Sequence, residues 1–318
     1  MNSSKTAWTH CDPDDLVPLM ILNDYYTKPV QVYDLKEHFK SLKQVFMGLS
    51  GGELAQISNL VPPAVLKLAH TDTLSETVQK YFCHVKNLEL AGVEIITIFD
   101  ENYPEILRVQ KNPRDTPLVL YRKGNLSSFE RCIAISGSRE TSEDGLRVAY
   151  AFATSLAKEG YTVVSGLAKG TDTMAHRGAI DAAGKTIAVL PCNISDIYPK
   201  VNVDLAHQIE KTGALISRFS PEVKLEKYHF IDRNRIISGI SDCVVAIESD
   251  GTGGTARQIE IALSQGVTAF TVMPPKGNDV ARRGFEKFVK LGARPVSDES
   301  ELLRVLKERK KNKVRAEK

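Results

Sequence analysis

The chain has 318 residues, of which 42% are hydrophobic and 25% are charged. This is the composition of an ordinary globular protein with enough apolar material for a buried core, and it excludes disorder of the whole chain. The formal net charge is +3, but the last eighteen residues hold eight Lys or Arg against three Glu, so the tail carries +5 and the rest −2. A surface that binds a polyanion must therefore be a local patch created by folding.

The length favours a large domain with a smaller attachment. The five cysteines are widely spaced, with no Cys-x-x-Cys pair and no histidine at metal-ligand spacing, so neither a disulfide framework nor a zinc site is predicted. We expect no cofactor. No apolar run has signal-peptide character, and none reaches the ~18 residues that span a bilayer, so a cytoplasmic protein is expected.

The first ninety residues have a helical pattern. From Leu16 to about Val85, apolar residues recur at helical spacing, with Gly, Asn and Pro at residues 48–52 and 59–63. This pattern predicts a small all-helical domain over residues 1–90. A β-branched run and a second apolar run follow, and they predict two strands with a short helix between them.

From Cys132 onward, short apolar strands alternate with glycine turns and amphipathic helices. This pattern predicts a doubly wound, mostly parallel α/β sheet of the Rossmann-like class, covered by helices on both faces. We assign residues 91–300 to this domain and 301–318 to a basic C-terminal tail, of which the part from Lys307 is predicted to be a frayed, solvated helix end. Ligands bind such sheets outside the carboxyl ends of the strands, so the turns there are the candidate sites.

The first turn contains Gly137, Ser138 and Arg139, between a buried strand and a helix. Glycine permits close backbone approach, serine and free N–H groups can donate, and the arginine fork matches phosphate oxygens. A phosphate cradle is one interpretation, and a tight turn with an exposed arginine is the other.

The second turn repeats this chemistry with Gly166, Lys169 and Gly170. The adjacent Asp172 is predicted to cap the following helix. His176, in the first turns of that helix, is predicted to be a hydrogen-bonded packing residue and not a general base.

Residues 228–235 concentrate cations and rings before an apolar helix predicted at 236–240. Rings stack on nucleic-acid bases while arginines hold phosphates, so Arg233, Asn234 and Arg235 are candidate contacts. The alternative is a loop whose rings fill the core and whose arginines pair with acidic neighbours.

The last turn holds Gly253, Gly254 and Thr255 at the start of a helix and suggests another backbone cradle. The chain has neither a G-x-G-x-x-G after its first strand nor a Walker motif. It offers no nucleophile-and-base pair, so no catalytic residue is predicted and a binding function is favoured over an enzyme.

These turns, in this order, resemble the DNA-processing protein A family, also called Smf. The resemblance rests on four segments, IAISGSR at 133–139, VVSGLAKGTDTMAHRGAI at 163–180, GKTIAVLPCNISDIYP at 184–199 and FIDRNRIISGIS at 230–241. The resemblance implies an extended Rossmann fold with a helical N-terminal domain of the SAM or helix-hairpin-helix type. It also implies homodimerisation, single-stranded DNA binding, and transfer of that DNA to a RecA-type recombinase during DNA uptake.

The chain differs from the usual family pattern at several positions. Thr171 replaces an isoleucine, Arg218 stands where an acidic residue is usual, and GTGGTARQ replaces the usual glycine-serine turn. The winged-helix domain of many members is not found here, which leaves open a role in phage defence, a mobile element or repair.

Two other functions remain as alternatives. A nucleoside-monophosphate phosphoribohydrolase of the same superfamily would use Glu260 as its acidic residue, although Glu260 lies five positions after Thr255 and that family's glutamate lies three. A sensor that binds a small nucleotide and signals through the helical region is the second alternative.

Overall fold

The computed structural model describes residues 13–39, 41–51, 61–69, 73–108, 110, 115–126 and 129–316. The chain forms two compact units. The smaller comprises Met1–Lys123, Cys192–Asp196 and Ile216–Leu225, and the larger comprises Gly124–Pro191, Ile197–Leu215 and Glu226–Lys318. None of the described helices combines the length and apolar character needed to cross a bilayer.

The smaller unit is mainly helical and also contains an antiparallel pair of strands. Its elements are α1 (Pro13–Asp24), α2 (Pro29–His38), α3 (Leu42–Gly51), α4 (Pro63–Ala69), α5 (Thr73–Leu90), β1 (Val93–Thr97), α6 (Glu105–Arg108) and β2 (Val119–Gly124). Strand β1 pairs with β2 and packs on α5, so this unit continues to residue 123. The sequence instead predicts a domain boundary at residue 90, where the pattern changes from helix to strand.

Arg218, one of the departures from the family pattern, has a structural role in the smaller unit. It is 5% exposed, its guanidinium lies 4.4 Å from the Tyr26 ring centroid, and its Nη2 donates to the Asn23 carbonyl oxygen at 3.1 Å. The Asn23 side chain in turn donates to the Arg218 carbonyl oxygen at 2.8 Å and accepts from the backbone N–H of Val119. Arg218 therefore helps to fix the start of β2.

The larger unit is an α/β structure around a mostly parallel sheet, as predicted. Its strands are β3 (Cys132–Ser136), β4 (Thr162–Ser165), β5 (Thr186–Val189), β6 (Ala214–Ser217), β7 (Cys243–Ala246), β8 (Thr268–Val272) and β9 (Arg294–Val296), in the order β6-β5-β4-β3-β7-β8-β9. Strands β3 to β5 and β7 consist almost wholly of buried apolar and β-branched residues because helices cover both faces.

The helices of the larger unit alternate with these strands. They are α7 (Glu143–Lys158), α8 (Thr171–Asp181), α9 (Val203–Thr212), α10 (His229–Gly239), α11 (Gly253–Ser264), α12 (Asp279–Leu291) and α13 (Glu299–Ala316). The chain winds from β3 to β6 on one side and from β7 to β9 on the other. The strand order therefore reverses between β3 and β7, and this reversal places a crevice at their carboxyl ends.

Two sequence predictions about helix ends differ from the structure. Residues 228–235 are predicted to precede a helix at 236–240, whereas α10 already begins at His229. The domain does not end at residue 300, because Leu302 and Leu306 of α13 are buried in the same core cluster as Phe152 and Phe270. Leucines four residues apart share one helix face, and that face anchors the start of the predicted tail.

Candidate functional site

The predicted turns meet at the carboxyl edge of the sheet in the larger unit. The turns after β3, β4 and β7 and the first half of α10 line two adjoining cavities. Gly137, Lys169 and Arg233 therefore belong to one continuous region of the protein surface. The sequence predicts this grouping from the rule that carboxyl ends of parallel strands share an edge.

The larger cavity has a volume of about 560 Å³ and lies between the ends of β3 and β7. It is lined mainly by the first and last turns and by α10. The lining residues are Ser136, Gly137, Ser138, Arg139, Glu140, Ala168, Asp172, Phe230, Arg233, Asn234, Glu248, Ser249, Asp250, Thr252, Gly253, Gly254, Thr255 and Val280. Two of these side chains are basic and four are acidic, so this cavity does not favour an anion.

The smaller cavity has a volume of about 180 Å³ and lies beside the turn after β4. Its lining residues are Arg139, Gly166, Ala168, Lys169, Pro191, Tyr198, Pro199, Phe230 and Arg233. Three of these side chains are basic and none is acidic. An anion approaching the carboxyl edge of the sheet is therefore favoured in the smaller cavity.

The first turn is held in place by hydrogen bonds of its backbone. The Ser138 N–H, predicted to be free for a phosphate, donates to the Glu248 carbonyl oxygen at 2.7 Å. The Ser138 Oγ accepts from the Glu140 N–H at 3.1 Å. A Cβ on Gly137 would lie 2.3 Å from the Thr171 Oγ1, so glycine is needed for this close packing. The Arg139 side chain, in contrast, is exposed to solvent.

The second turn is organised by Asp172. Its Oδ2 accepts from the backbone N–H groups of Gly166 and Ala168, each at 3.2 Å. The sequence prediction that Asp172 caps a helix is therefore wrong, since the N-cap position belongs to Gly170. The carboxylate folds the turn back on itself and leaves Lys169 exposed to solvent.

Gly170 has a positive φ of 75°, and a Cβ there would lie 2.6 Å from the Ser138 carbonyl oxygen. Only glycine adopts this conformation at such close quarters without strain. Gly170 thus joins the first turn to the second and fixes the positions of their two cations.

Helix α10 brings Arg233 and Asn234 to the cavities but not Arg235. Arg233 is 7% exposed, and its Nη1 lies 3.8 Å from the Asp172 Oδ2. A Cβ on Gly166 would lie 1.0 Å from that same Nη1, so the guanidinium packs directly on the glycine. The Asn234 Nδ2 donates to the Gly254 carbonyl oxygen at 3.3 Å.

Arg235 lines neither cavity. Its Nε lies 3.9 Å from the Asp232 Oδ1, and its carbonyl oxygen accepts from the Gln265 side chain at 3.1 Å. Residues two apart on a helix point about 200° from each other. Because α10 begins at His229, Arg233 and Arg235 face in nearly opposite directions.

Two acidic residues of the larger cavity are engaged by the protein itself. The Glu248 carboxylate accepts from the Ser142 N–H at 2.8 Å and from the Asn278 side chain at 3.2 Å. The backbone N–H of Thr252, and then its hydroxyl, donate to Asp250 and lower the pKa of that carboxyl. Asp250 therefore keeps its negative charge at neutral pH. Glu248 joins the end of β7 to the starts of α7 and α12, a role that the sequence does not reveal.

His176 is fully buried, and its Nδ1 lies 2.7 Å from the Thr186 hydroxyl. Burial, and then the nearby Arg233 guanidinium, lower the pKa of His176 to about 3. The ring is therefore neutral at physiological pH and serves packing, as the sequence predicts.

Two aromatic rings flank the smaller cavity. Tyr198 and Phe230 have ring centroids 5.9 Å apart in an edge-to-face arrangement, and the Arg139 guanidinium lies 5.2 Å from the Phe230 centroid. Tyr198 is 39% exposed. It lines the smaller cavity and is absent from the sequence predictions, although an aromatic residue before a proline in the loop after β5 lies at the expected edge of the sheet.

The family model for DNA recombination-mediator protein A matches residues 94–307, which is more than half of the chain. The chain belongs to this family. The family is that of DNA-processing protein A and Smf, and the resemblance found in the sequence is confirmed.

Similar proteins support this membership over most of the chain. DNA processing protein DprA of Bacillus subtilis is 35% identical over 220 residues, covering 69% of this chain and 73% of that protein. The DprA of Streptococcus pneumoniae is 30% identical over 289 residues, covering 86% of this chain and 96% of that protein.

Two solved structures are also similar. An X-ray structure of Streptococcus pneumoniae DprA has a TM-score of 0.70 at 26% identity and covers 92% of this chain and 97% of that chain. A structure of Helicobacter pylori DNA processing protein A, described as showing a single-stranded DNA binding mode, has a TM-score of 0.60 at 25% identity and covers 68% of this chain and 96% of that chain.

Proposed function

We propose that this chain binds single-stranded DNA at the carboxyl edge of the sheet. The backbone phosphates lie in the smaller cavity against Arg139, Lys169 and Arg233, and the bases stack on nearby rings. The observation that carries this proposal is the composition of that cavity, which has three basic side chains and no acidic one. The family of the chain and the single-stranded DNA described for its Helicobacter pylori relative support it.

The three cations have different roles in this proposal. Arg139 and Lys169 are solvent-exposed, so they meet the strand first. Arg233 is buried beside Asp172, and this carboxylate already compensates part of its charge. Arg139 presents a planar fork for two phosphate oxygens, whereas Lys169 acts as a point charge. Arg139 is therefore expected to contribute the largest share of affinity among the three.

The aromatic rings explain a preference for single strands. A base stacks on Tyr198 or Phe230 only when it is unpaired, and stacking contributes about 1–3 kcal/mol per base. The cavity of about 180 Å³ is too small for a duplex and suits one phosphate with an adjacent base. Stacking and phosphate contacts are indifferent to base identity, so only slight sequence preference is expected.

The turn glycines belong to this site as supports. Gly137, Gly166 and Gly170 allow the close packing that positions Arg139, Lys169 and Arg233. At the other end of the larger cavity, Gly253, Gly254 and Thr255 begin α11 and leave room for a base or sugar. Asn234 supports that wall through the Gly254 carbonyl oxygen.

Filter binding of single-stranded against double-stranded DNA tests this proposal. The expected result is tight, strongly salt-dependent binding of the single strand and much weaker binding of a duplex of the same length. Equal affinity for the two forms would contradict the stacking contribution. The absence of binding at low salt would overturn the proposal as a whole.

We further propose that the protein acts in DNA processing as a cytoplasmic homodimer that transfers the bound strand to a RecA-type recombinase. Family membership supports this proposal. Sedimentation of the free protein tests the dimer. Displacement of a single-strand-binding protein by recombinase, with and without this chain, tests the transfer.

The hydrolase alternative depends on Glu260. The Glu260 Oε2 lies 2.7 Å from the Arg257 Nη1 on α11, and Glu260 lines neither cavity. A nucleoside monophosphate held in either cavity would therefore not have the Glu260 carboxylate in the cavity wall. Release of free base from nucleoside monophosphates, lost in Glu260→Gln, would favour the hydrolase.

A further inference from the structure

Helix α12 and the residues just before and after it carry a concentration of positive charge beside the larger cavity. Between residues 276 and 294 there are six Lys or Arg against two acidic residues, and all eight are exposed. They are Lys276, Arg282, Arg283, Lys287, Lys290 and Arg294, with Asp279 and Glu286 as the acidic residues. The stretch from residue 276 to residue 294 therefore has a formal net charge of +4.

The helix is seated tightly against the turn that forms the rim of the larger cavity. A Cβ on Gly284 would lie 1.9 Å from the Ser249 carbonyl oxygen, so α12 and the turn are in direct contact. The Lys287 Nζ donates to the Gly251 carbonyl oxygen at 2.7 Å, and Val280 lines the cavity. The charged helix therefore begins at the cavity and runs along the turn at its rim.

Three cations form a row along one side of this helix. Ala281, Gly284 and Phe288 are buried and define the face that packs on the sheet. Arg283, Lys287 and Lys290 are three or four residues apart, so they follow one another along an exposed face. At 1.5 Å of rise per residue, the row from Arg283 to Lys290 is about 10 Å long. Phosphates of one strand follow one another every ~3.4 Å along a duplex axis, so the row is about three phosphate spacings long. In an extended single strand the phosphates are farther apart, and the row spans fewer of them.

The acidic lining of the larger cavity means that phosphates need cations elsewhere along the path of the strand. A strand that leaves the smaller cavity passes the larger one, whose lining has four acidic side chains and two basic ones. Phosphates are not held there, whereas bases and sugars are neutral and can be accommodated. Helix α12 begins at this edge of the sheet with Val280 in the cavity wall, so its exposed cations are available to the phosphates that follow.

We propose that Arg283, Lys287 and Lys290 form an exit track that binds backbone phosphates of the single-stranded DNA after it has passed the larger cavity. This inference rests on the proposed function, since it extends the path of the same strand. It predicts that affinity grows with strand length beyond what the smaller cavity holds. Because the track binds phosphates alone, it adds affinity without sequence preference.

The test is a double variant, Arg283→Gln with Lys290→Gln, because Lys287 also supports the turn at Gly251. Fluorescence anisotropy measures binding of labelled oligothymidylates of about four and about twenty nucleotides over a range of salt. For the long strand, the salt slope of log K should fall by about 1.4, and affinity should fall up to about 25-fold at ~0.1 M salt. The short strand should bind as it does to the wild type.

The matched control is Lys158→Gln with Lys185→Gln. These exposed cations lie at the opposite, amino edge of the sheet, at the end of α7 and just before β5. The control removes the same charge and should leave both oligomers unaffected. Sedimentation should give both variants the wild-type mass.

The outcomes separate the track from the proposed function. An unchanged salt slope for the long strand, or an equal fall in the control, would overturn the track while leaving the cavity as the binding site. An equal loss of the short strand would place the effect in the cavity and would also overturn the track. Failure of the wild type to bind either oligomer would overturn the proposed function first.

Discussion

Replacement of Arg139 by alanine should weaken single-stranded DNA binding at every sequence. The side chain is exposed, lines both cavities and lies 5.2 Å from the Phe230 ring centroid. Loss of one phosphate contact lowers the magnitude of the salt slope by about 0.7, which is about fivefold in affinity at ~0.1 M salt. The Arg139 guanidinium also positions the Phe230 ring for stacking, and loss of this cation–π contact weakens the binding free energy by about a further 0.5–1 kcal/mol.

Together these terms predict a reduction of roughly 10- to 30-fold at ~0.1 M salt, measured by fluorescence anisotropy with oligothymidylate. Because Arg139 is exposed, the free energy of unfolding should change by less than about 0.5 kcal/mol. Arg139→Lys is the matched control, since it keeps the charge and removes the fork. It should restore the salt slope while recovering only part of the affinity. An alanine variant with wild-type affinity and slope would refute the assignment of Arg139 to the phosphate site.

Three further substitutions test other parts of the structure. Gly170→Ala should lower the free energy of unfolding by about 2 kcal/mol or more in urea titrations, from backbone strain and a close contact; Gly277→Ala, also at positive φ but with open space around it, should cost less. Lowering the pH from ~6.5 towards 3 should destabilise the fold by up to about 1.4 kcal/mol per pH unit through His176, because the unfolded state takes up its proton first. His176→Gln should reduce that slope, and identical slopes would contradict the lowered pKa. Asp250→Asn should strengthen single-strand binding about two- to fivefold at ~0.1 M salt, since it removes a carboxylate from the cavity, and weaker binding would contradict that reasoning.

The sheet and the position of the site could be predicted from the sequence. The strands are short apolar runs between glycine turns, and this local pattern is sufficient to recognise a parallel sheet. The rule that ligands bind at carboxyl ends of strands then groups turns that are far apart in the chain. The structure brings Gly137, Lys169 and Asn234 to the two adjoining cavities, which is the grouping that this rule predicts.

The charge balance of the site could not be predicted in this way. Whether Asp172 caps a helix or folds a turn depends on hydrogen bonds to Gly166 and Ala168, which periodicity does not show. Glu248 reaches Ser142, more than a hundred residues away. Such long-range partners decide which cations remain available for a ligand, and only the folded structure reveals them.

Other differences arise from where helices begin and end. The sequence groups Arg235 with Arg233 because it predicts that residues 228–235 precede the helix. The helix begins earlier, at His229, and this places the two arginines on opposite faces. Leu302 and Leu306 continue an amphipathic pattern past residue 300, so their burial was open to prediction. The basic composition of the tail obscured that pattern.

The most direct test is a crystal structure of the protein with a short oligothymidylate. The expected result is a phosphate in the smaller cavity, within hydrogen-bonding distance of Arg139 and Lys169, and a base against Tyr198 or Phe230. A strand bound elsewhere on the larger unit, with the smaller cavity holding only solvent, would contradict it.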